Sequence, residues 1–304
     1  MSSLTTEVGS VRLGAAVLTA SGTAGHGAEF AHYLRPDELG AVVVKSMRAE
    51  AWAGNPPPRV HPTAAGMINS VGLQGSGVAH WLTDELPDLV ATGATVVASI
   101  WGNSVDDYRA AADALADAPP EVVAVEINVS CPNLEDRAKM FAHSAAATAE
   151  VIAATGGCGR PRWAKLSPNT ADLPEIAAAA AAAGAEAVVL TNTVLGMVID
   201  TETRRPVLGA KRGGLSGAAI HPVAVRAVYD VHEAEPDLPI VGVGGACAGS
   251  DVVEFLLAGA CAVEVGTATF ADPRAPRRIL GEFHEWCDRH GVTEVAELIG
   301  AAHG

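Results

Sequence analysis

The sequence predicts an α/β protein of the (β/α)8, or TIM, barrel class. Short runs rich in Val and Ile alternate with helical stretches along the whole chain, and each kind of element occurs about eight times. Such runs are typical of strands buried on both faces. The 304 residues leave room for insertions, since a barrel of this kind typically needs about 250 residues. An open, doubly wound sheet shows the same alternation and is the alternative fold.

Eight apolar runs are predicted to be the barrel strands. In chain order they are Val17–Ala20, Ala41–Lys45, Thr95–Ile100, Val122–Asn128, Arg162–Leu166, Ala187–Thr191, Pro239–Val243 and Ala262–Val265. Surplus length follows the second and sixth strands, at Arg48–Gly77 and Gly196–Ser216. Loops after strands lie at the carboxyl-end rim of a barrel. The two segments are therefore expected to be long rim insertions in a single domain spanning 1–304.

Caps and apolar spacing predict the intervening helices. One helix opens after Ser104, a good N-cap residue, and another ends before Gly184, a good C′ residue. The predicted set is Glu29–Leu34, Leu82–Thr92, Val105–Ala116, Ser144–Thr155, Leu173–Ala183, Ile220–Glu233, Ser250–Ala258 and Pro276–His290. No stretch has the pattern of a signal peptide or the length of a membrane span, so a cytoplasmic protein with no membrane insertion is expected.

Composition excludes several classes of protein. The net charge of −15 argues against a nucleic-acid binder. Five scattered cysteines form no CxxC pair, so neither a zinc ribbon, nor a self-contained iron–sulfur site, nor a disulfide framework is expected. We therefore expect no metal site.

Polar residues collect where predicted strands end. Lys45-Ser46, Asn128 and Asn192-Thr193 end or follow strands, and Lys165 lies within one. A lysine in a buried strand is costly unless it meets an anion or acts as a base. The alternative is a lysine that extends along the strand to the solvent at the rim. With four lysines in the whole chain, two in such positions favour a functional role.

Glycine-rich loops follow the late strands. Gly244-Gly245 and Gly266-Thr267 come after the seventh and eighth strands, and Gly213 to Gly217 form a third such loop. Backbone N–H groups in these loops can approach a phosphate closely, although single glycines at such junctions are common turn residues. No GxGxxG motif opens an N-terminal βαβ unit, so a mononucleotide such as FMN fits better than a dinucleotide.

Cys131 follows the fourth strand in the segment Asn128-Val129-Ser130-Cys131-Pro132-Asn133. A general base is the favoured role, because a thiol needs only modest stabilisation to act near neutral pH. A nucleophile is the alternative, but no histidine stands at a predicted strand end. Asn69, Asn128, Asn133 and Asn192 together offer donors and acceptors for a planar imide and a carboxylate, unless they merely stabilise turns.

Taken together, these segments resemble the class 1 dihydroorotate dehydrogenases, in particular the class 1B catalytic subunit, over nearly the whole chain. The matching segments are Thr19–Thr23, Lys45-Ser46, Gly54–Arg59, Asn69–Gln74, Asn128–Asn133, Lys165–Pro168, Asn192-Thr193, Gly213–Gly217, Gly244-Gly245 and Gly266-Thr267. Cys131 indicates class 1, because class 2 enzymes have serine at that position. We also expect no N-terminal membrane-associating extension of the class 2 kind.

The resemblance implies an FMN-bearing barrel that oxidises dihydroorotate to orotate in pyrimidine biosynthesis, with Cys131 as the catalytic base. The residues implied to bind FMN are Ala20, Ser21, Lys45, Ser46, Ser99, Asn128, Lys165, Thr191, Gly217, Gly244, Gly245, Gly266 and Thr267. Those implied to bind the substrate are Lys45, Asn69, Gly72, Leu73, Asn128, Asn133, Asn192 and Thr193. Ser99 stands where the family often has asparagine, and Leu134 to Phe141 lack a glycine pair often seen there.

The resemblance also implies a homodimeric core and an electron-transfer subunit carrying FAD and a [2Fe–2S] cluster, which the scattered cysteines of this chain cannot hold. Four alternatives stay open at this point. They are a class 1A-like enzyme that uses fumarate without a partner, a flavoprotein acting on another dihydropyrimidine such as dihydrouracil, a Schiff-base aldolase using Lys165, and a non-catalytic flavin-binding paralogue.

Overall fold

A computed structural model of the chain describes residues 4–130 and 141–304. Strands are numbered along the chain. Eight of the described strands form one parallel sheet: β3 (Val17–Thr19), β4 (Val42–Val43), β7 (Val96–Ile100), β8 (Val122–Asn128), β9 (Arg162–Lys165), β10 (Ala187–Leu190), β15 (Ile240–Val243) and β16 (Ala262–Val265). Their order is β3-β16-β15-β10-β9-β8-β7-β4. The backbone N–H of Gly40 donates to Val17 (2.8 Å) and that of Thr19 to Ala41 (3.2 Å), which joins the two outer strands. The sheet closes into the predicted (β/α)8 barrel.

Helices follow the strands and cover the outside of the barrel. In the described chain they are α1 (Val78–His80), α2 (Leu86–Ala91), α3 (Val105–Asp113), α4 (Ala145–Ala154), α5 (Leu173–Ala182), α6 (His221–Ala234), α7 (Gly249–Leu257), α8 (Ala268–Ala271) and α9 (Ala275–His290). A π-helical segment, Trp81–Glu85, joins α1 to α2. Within the part of the chain that the structure describes, none of the helices combines the length and the apolar character that crossing a membrane demands.

Several predicted boundaries were wrong by a few residues. The predicted strand Ala41–Lys45 has only Val42–Val43 in the ladder, because the chain then turns so that Lys45 N–H donates to Gly25 and Met47 N–H to Ser99. The predicted helix Leu82–Thr92 starts earlier, at Val78, and contains the π-helical turn. Short 3-10 turns, which the helical spacing did not separate from α-helix, occupy Glu29–His32, Pro36–Glu38, Phe141–His143, Thr155–Cys158, Ala218–Ile220, Val295–Glu297 and Ala301–His303.

The two segments of surplus length pair with each other across the barrel mouth. They form a four-stranded antiparallel sheet of β5 (Val60–Thr63), β6 (Gly66–Asn69), β11 (Val194–Gly196) and β14 (Gly213–Ser216), in the order β11-β14-β6-β5. A small hairpin, β12 (Ile199–Asp200) with β13 (Arg205–Pro206), lies in the second segment. The sequence did not predict these strands, because the sheet depends on the pairing of β6 with β14, which lies far away in the chain.

The barrel interior is built in layers. Val97, Ala124 and Trp163 pack inside with the N-terminal hairpin of β1 (Thr6–Val8) and β2 (Val11–Leu13). Side chains two residues further along a strand point to the same side. The next layer toward the carboxyl ends therefore holds the buried polar residues Ser99, Glu126, Lys165 and Glu264. An apolar core thus supports a polar layer directly below the mouth.

Candidate active site

A cavity opens at the carboxyl ends of the barrel strands, where barrel enzymes place their active sites. It contains about 1120 Å³ of unfilled space, including its opening to solvent. Sixteen of the predicted site residues line it: Ala20, Ser21, Lys45, Ser46, Asn69, Gly72, Leu73, Lys165, Thr191, Asn192, Thr193, Gly217, Gly244, Gly245, Gly266 and Thr267. Of the remaining predicted residues, Ser99 and Asn128 are buried behind the wall, whereas Cys131 and Asn133 lie outside the described residues.

Lys165 forms the floor of this cavity together with two carboxylates. Its ammonium group donates three hydrogen bonds: to Glu126 Oε2 (3.0 Å), Glu264 Oε2 (2.9 Å) and Ser21 Oγ (3.2 Å). All three charged side chains are buried. Since a lysine ammonium has three donors, the protein uses its full capacity. This arrangement places a fixed positive charge below the cavity rather than a lysine that reaches the rim.

Burial and mutual attraction set the charges in this cluster. Burial lowers the pKa of Lys165, but the two adjacent carboxylates outweigh burial and the net effect is a raised pKa. Burial raises the pKa of Glu264 to about 8; Lys165 opposes this shift and Glu126 adds to it. Lys165 is therefore firmly charged, and the pKa of Glu264 lies well above that of an ordinary carboxyl group.

A chain of hydrogen bonds runs behind the cavity wall and ends at this cluster. Asn192 Nδ2 donates to Asn128 Oδ1 (3.1 Å), and Asn128 Nδ2 donates to Ser46 Oγ (3.2 Å). The Ser46 and Ser99 hydroxyls are 2.8 Å apart, and Ser99 donates to Glu126 Oε1 (2.8 Å). Because the Ser99 proton goes to the carboxylate, Ser46 is the donor to Ser99. These hydrogen bonds fix the side-chain orientation of Asn192 and Ser46, both of which line the cavity.

Two predicted site residues lie behind the cavity wall. Ser99 is fully buried and contacts Ser46 and Glu126. Asn128 is 5% exposed and is held by Ser46 and Asn192. Tyr108 additionally donates to its backbone carbonyl (2.7 Å). Both residues position neighbours that do reach the cavity.

Sequence reasoning assigned no role to Glu126 or Glu264. A usable signal existed, since each carboxylate interrupts an otherwise apolar strand. A buried carboxylate needs a cationic or hydrogen-bonding partner. Both residues therefore pointed to a cation inside the barrel, and Lys165 was the strand lysine available to them.

Lys45 is the second lysine of the cavity, and its surroundings differ from those of Lys165. No carboxylate of the described chain forms an ion pair with it. Burial is the main cause of its lowered pKa, and the neighbouring Arg59 guanidinium contributes in the same direction. Arg59 is itself held by the carbonyls of Asn55 (2.6 Å) and Ala53 (3.0 Å). Lys45 is therefore a cation whose countercharge is not part of the described protein.

The loop that carries Gly72 and Leu73 is held by aromatic side chains. Trp52 Nε1 donates to the Gly72 carbonyl (3.0 Å). The Arg48 guanidinium lies 5.0 Å from the centre of the Trp52 ring and 5.5 Å from that of Trp101, distances typical of cation–π contacts. Gly72 has φ +73°, and an added Cβ would lie 2.6 Å from the Asn55 nitrogen, so a side chain is excluded there. The Trp52 hydrogen bond and the tight packing at Gly72 therefore hold the loop against the cavity.

The glycine loops provide space for a phosphate-bearing group. Gly217 and Gly245 have φ of +97° and +74°, values that favour glycine. A Cβ on Gly245 would lie 2.8 Å from the Gly217 carbonyl oxygen. Thr191 lines the cavity, and its buried hydroxyl has no hydrogen-bond partner among the described residues. An unpaired hydroxyl, a close backbone approach and two lysines fit an anionic cofactor with a polar ring edge, such as FMN.

A closed parallel barrel with a polar cavity at the carboxyl ends of its strands is the architecture of a barrel enzyme. A family model described as dihydroorotate dehydrogenase matches residues 3–286. This chain belongs to the dihydroorotate dehydrogenase family, a family of flavin-dependent oxidoreductases.

Relatives match over nearly the full chain. The dihydroorotate dehydrogenase B (NAD(+)) catalytic subunit of Desulforudis audaxviator is 48% identical over 288 residues, which cover 94% of this chain and 93% of that protein. The protein of the same name from Geobacter metallireducens is 42% identical over 299 residues, covering 98% and 97%. A crystal structure of DHODH in complex with ferulenol from Eimeria tenella has a TM-score of 0.77 at 20% identity, covering 99% of this chain and 88% of that one. The last similarity supports the barrel fold alone.

Proposed function

We propose that residues 1–304 act as one domain, the catalytic subunit of an NAD-linked dihydroorotate dehydrogenase that oxidises dihydroorotate to orotate in pyrimidine biosynthesis. The observation that carries the proposal is the cavity itself. It combines glycine loops after β15 and β16, the compensated Lys165, the uncompensated Lys45 and a wall of asparagines. Family membership selects this reaction among those a barrel can perform.

FMN is the cofactor that this cavity fits. Gly244, Gly245, Gly266 and Thr267 would hold its phosphate, as loops after the seventh and eighth barrel strands do. Lys165 would face the ring edge that becomes electron-rich. Ala20, Ser21, Lys45, Ser46, Thr191 and Gly217 would complete the contacts, with Asn128 acting through Ser46. When bound, FMN supplies an acceptor for the hydride that leaves C6 of dihydroorotate.

The side chains of this protein would bind and orient the substrate. The ammonium group of Lys45 suits the substrate carboxylate, because that anion would provide the missing countercharge. Asn69, Asn192 and Thr193, with Gly72 and Leu73 of the fixed loop, would hold the ring amides and carbonyls. Cys131 would remove the proton from C5 as general base, and Asn133 would add a substrate contact; both lie outside the described residues.

Anaerobic mixing with dihydroorotate tests this function. The purified protein should be yellow, and its flavin absorbance should bleach when dihydroorotate is added without oxygen. A colourless protein that binds no added FMN would overturn the proposal. Bleaching by dihydrouracil as fast as by dihydroorotate would also overturn it, because dihydrouracil lacks the carboxylate that Lys45 is proposed to bind.

Replacement of Cys131 tests the base. Cys131→Ala should retain FMN and substrate affinity but lose about 10²- to 10⁴-fold in the rate of bleaching, the usual contribution of a general base. Cys158→Ala is the matched control, since that thiol is buried on the helical side of the barrel. Equal rates in the Cys131 variant and the wild type would contradict the assignment.

We further propose that an electron-transfer subunit with FAD and a [2Fe–2S] cluster reoxidises the flavin, and that the protein acts in the cytoplasm around a homodimeric core. The relatives are named as catalytic subunits of an NAD(+) enzyme. Cys158, Cys261 and Cys287 are buried and Cys247 is partly buried, so these four are not arranged as exposed cluster ligands. Rapid reoxidation of the isolated chain by fumarate would instead indicate a class 1A-like enzyme. Sedimentation of the isolated chain as a monomer would contradict the dimer.

A further inference from the structure

The cluster below the cavity holds two carboxylates and one lysine, and the two carboxylates are not equivalent. Both Glu126 oxygens are satisfied: Ser99 donates to Oε1 (2.8 Å) and Lys165 to Oε2 (3.0 Å). Glu264 receives one hydrogen bond, from Lys165 to Oε2 (2.9 Å), and its buried Oε1 has no partner in the described chain. A buried carboxylate oxygen without a donor is costly when the group is ionised.

The charge of the cluster depends on this second carboxylate. Lys165 and Glu126 form a buried ion pair of zero net charge. An ionised Glu264 would give the cluster a net charge of −1, buried beneath the cavity that is lined by Lys165. A neutral Glu264 would remove that negative charge and leave Lys165 with only one anionic partner. The charged groups that act on Glu264 are Lys165 on β9 and Glu126 on β8.

We propose that Glu264 is a positioning residue that holds a proton in the folded protein at neutral pH and thereby leaves the charge of Lys165 available to an electron-rich ligand in the cavity. The proton is taken from solvent when the chain folds and is carried on the Glu264 carboxyl group. No proton transfer to substrate is involved. Glu264 acts through Lys165 and does not itself line the cavity.

The first test needs no cofactor chemistry. Folding should take up one proton in the pH range above the ordinary carboxyl pKa of 4.5 and below the raised one. Between about pH 5 and pH 7, the unfolding equilibrium constant of the wild type should therefore rise about tenfold per pH unit relative to Glu264→Gln. The glutamine keeps the shape of a neutral carboxyl group and cannot release a proton. Urea unfolding of both full-length chains across this range measures the difference.

A second variant tests the coupling between the two carboxylates. Glu126→Gln should also reduce the pH dependence, because Glu126 raises the pKa of Glu264 and its removal leaves Glu264 as the carboxylate that pairs with Lys165. Parallel pH profiles of the wild type and Glu264→Gln would overturn the proposal. If Glu264→Gln fails to fold, Glu264→Met, which also lacks a titratable group, takes its place in the comparison.

The second test rests on the proposed function and concerns FMN bound to the holoenzyme. Above the pH at which Glu264 ionises, reduction of the flavin in the wild type should be accompanied by uptake of one extra proton per electron pair, on Glu264. In Glu264→Gln, this extra proton should be absent. Spectroelectrochemical titration at several pH values measures this number, and equal slopes in both proteins would contradict the proposal. A protein that shows the unfolding result but is not bleached by dihydroorotate would refute the proposed function and leave the assignment of the proton intact.

Discussion

Two lysines face the same cavity, and their surroundings shift their pKa values in opposite directions. Lys165 is enclosed by Glu126, Glu264 and Ser21 and donates all three of its hydrogens to them. Lys45 forms no ion pair within the described chain, and burial and the cation Arg59 both act on its pKa. The pKa of Lys165 is accordingly raised, whereas that of Lys45 is lowered.

The contrast indicates that the charge of Lys165 stabilises the fold, whereas the charge of Lys45 is available to bind a ligand. The Lys165 cluster is complete before any molecule binds, so its removal should disturb the protein itself. Lys45 is partly buried without a countercharge, which destabilises the empty protein slightly and favours binding of an anion. Replacement of Lys165 should therefore lower the free energy of unfolding, whereas replacement of Lys45 should weaken ligand binding.

The largest expected effect is that of Lys165→Met. The substitution leaves Glu126 and Glu264 buried without a cation, and breaking a buried ion pair in this way typically costs about 3–5 kcal/mol in the free energy of unfolding. Urea unfolding at neutral pH measures the loss. Lys45→Met is the matched control and should not lower the free energy of unfolding, since it removes a partly buried charge that has no countercharge in the described chain. Equal losses at both positions would remove the distinction between the two lysines.

Lys45→Met should instead weaken ligand binding. Loss of a charged hydrogen bond to a carboxylate corresponds to about 1.5–3 kcal/mol, or roughly a 10- to 150-fold higher Kd for orotate. Because its pKa is lowered, Lys45 should lose its proton earlier than an ordinary lysine as the pH rises. Orotate affinity of the wild type should therefore fall at alkaline pH as Lys45 becomes neutral.

Isothermal titration with orotate and with uracil, which lacks the carboxylate, checks this prediction. Uracil should bind both proteins with similar affinity, and its affinity should not follow the ionisation of Lys45. A Kd for orotate that is unchanged in Lys45→Met would place the substrate carboxylate elsewhere.

Ser99→Ala should have an intermediate effect, and the quantity that changes is the free energy of unfolding. Ser99 is fully buried and donates to Glu126, so its loss leaves a buried carboxylate oxygen unsatisfied at a cost of about 1–3 kcal/mol. FMN affinity should change less than in Thr191→Ala, because Thr191 lines the cavity and its hydroxyl has no hydrogen-bond partner among the described residues. Fluorescence titration with FMN measures the cofactor affinity of both variants, and urea unfolding measures their stability. A larger loss of FMN affinity in Ser99→Ala would restore the direct cofactor contact implied by the sequence.

The barrel was predictable because its signal is local. Each strand is a short apolar run, and Val122–Asn128 and Ala262–Val265 match the prediction at both ends. The rim sheet was not predictable, since β6 and β14 lie in different insertions and acquire strand structure only by pairing. Strand propensity depends strongly on such context.

The cavity lining was largely anticipated from residues at strand ends, because parallel strands bring those ends together. What the sequence left out were the interactions behind the wall. Glu126 and Glu264 appear as isolated charges in apolar runs, and only the closed barrel shows that both meet Lys165. Similarly, the contact between Ser99 and Glu126 joins neighbouring strands through side chains, and strand spacing does not reveal it.

The smallest expected effect concerns the loop that carries Gly72 and Leu73. Trp52→Phe removes the hydrogen bond to the Gly72 carbonyl but keeps a ring beside Arg48. Loss of one neutral hydrogen bond corresponds to about 0.5–1.5 kcal/mol, so KM for dihydroorotate should rise roughly 2- to 12-fold with kcat nearly unchanged. Trp101→Phe is the control, because it alters the other ring and leaves the Gly72 contact in place. A fall in kcat of the same size as the rise in KM would mean that the loop contributes to the transition state and does more than hold the substrate.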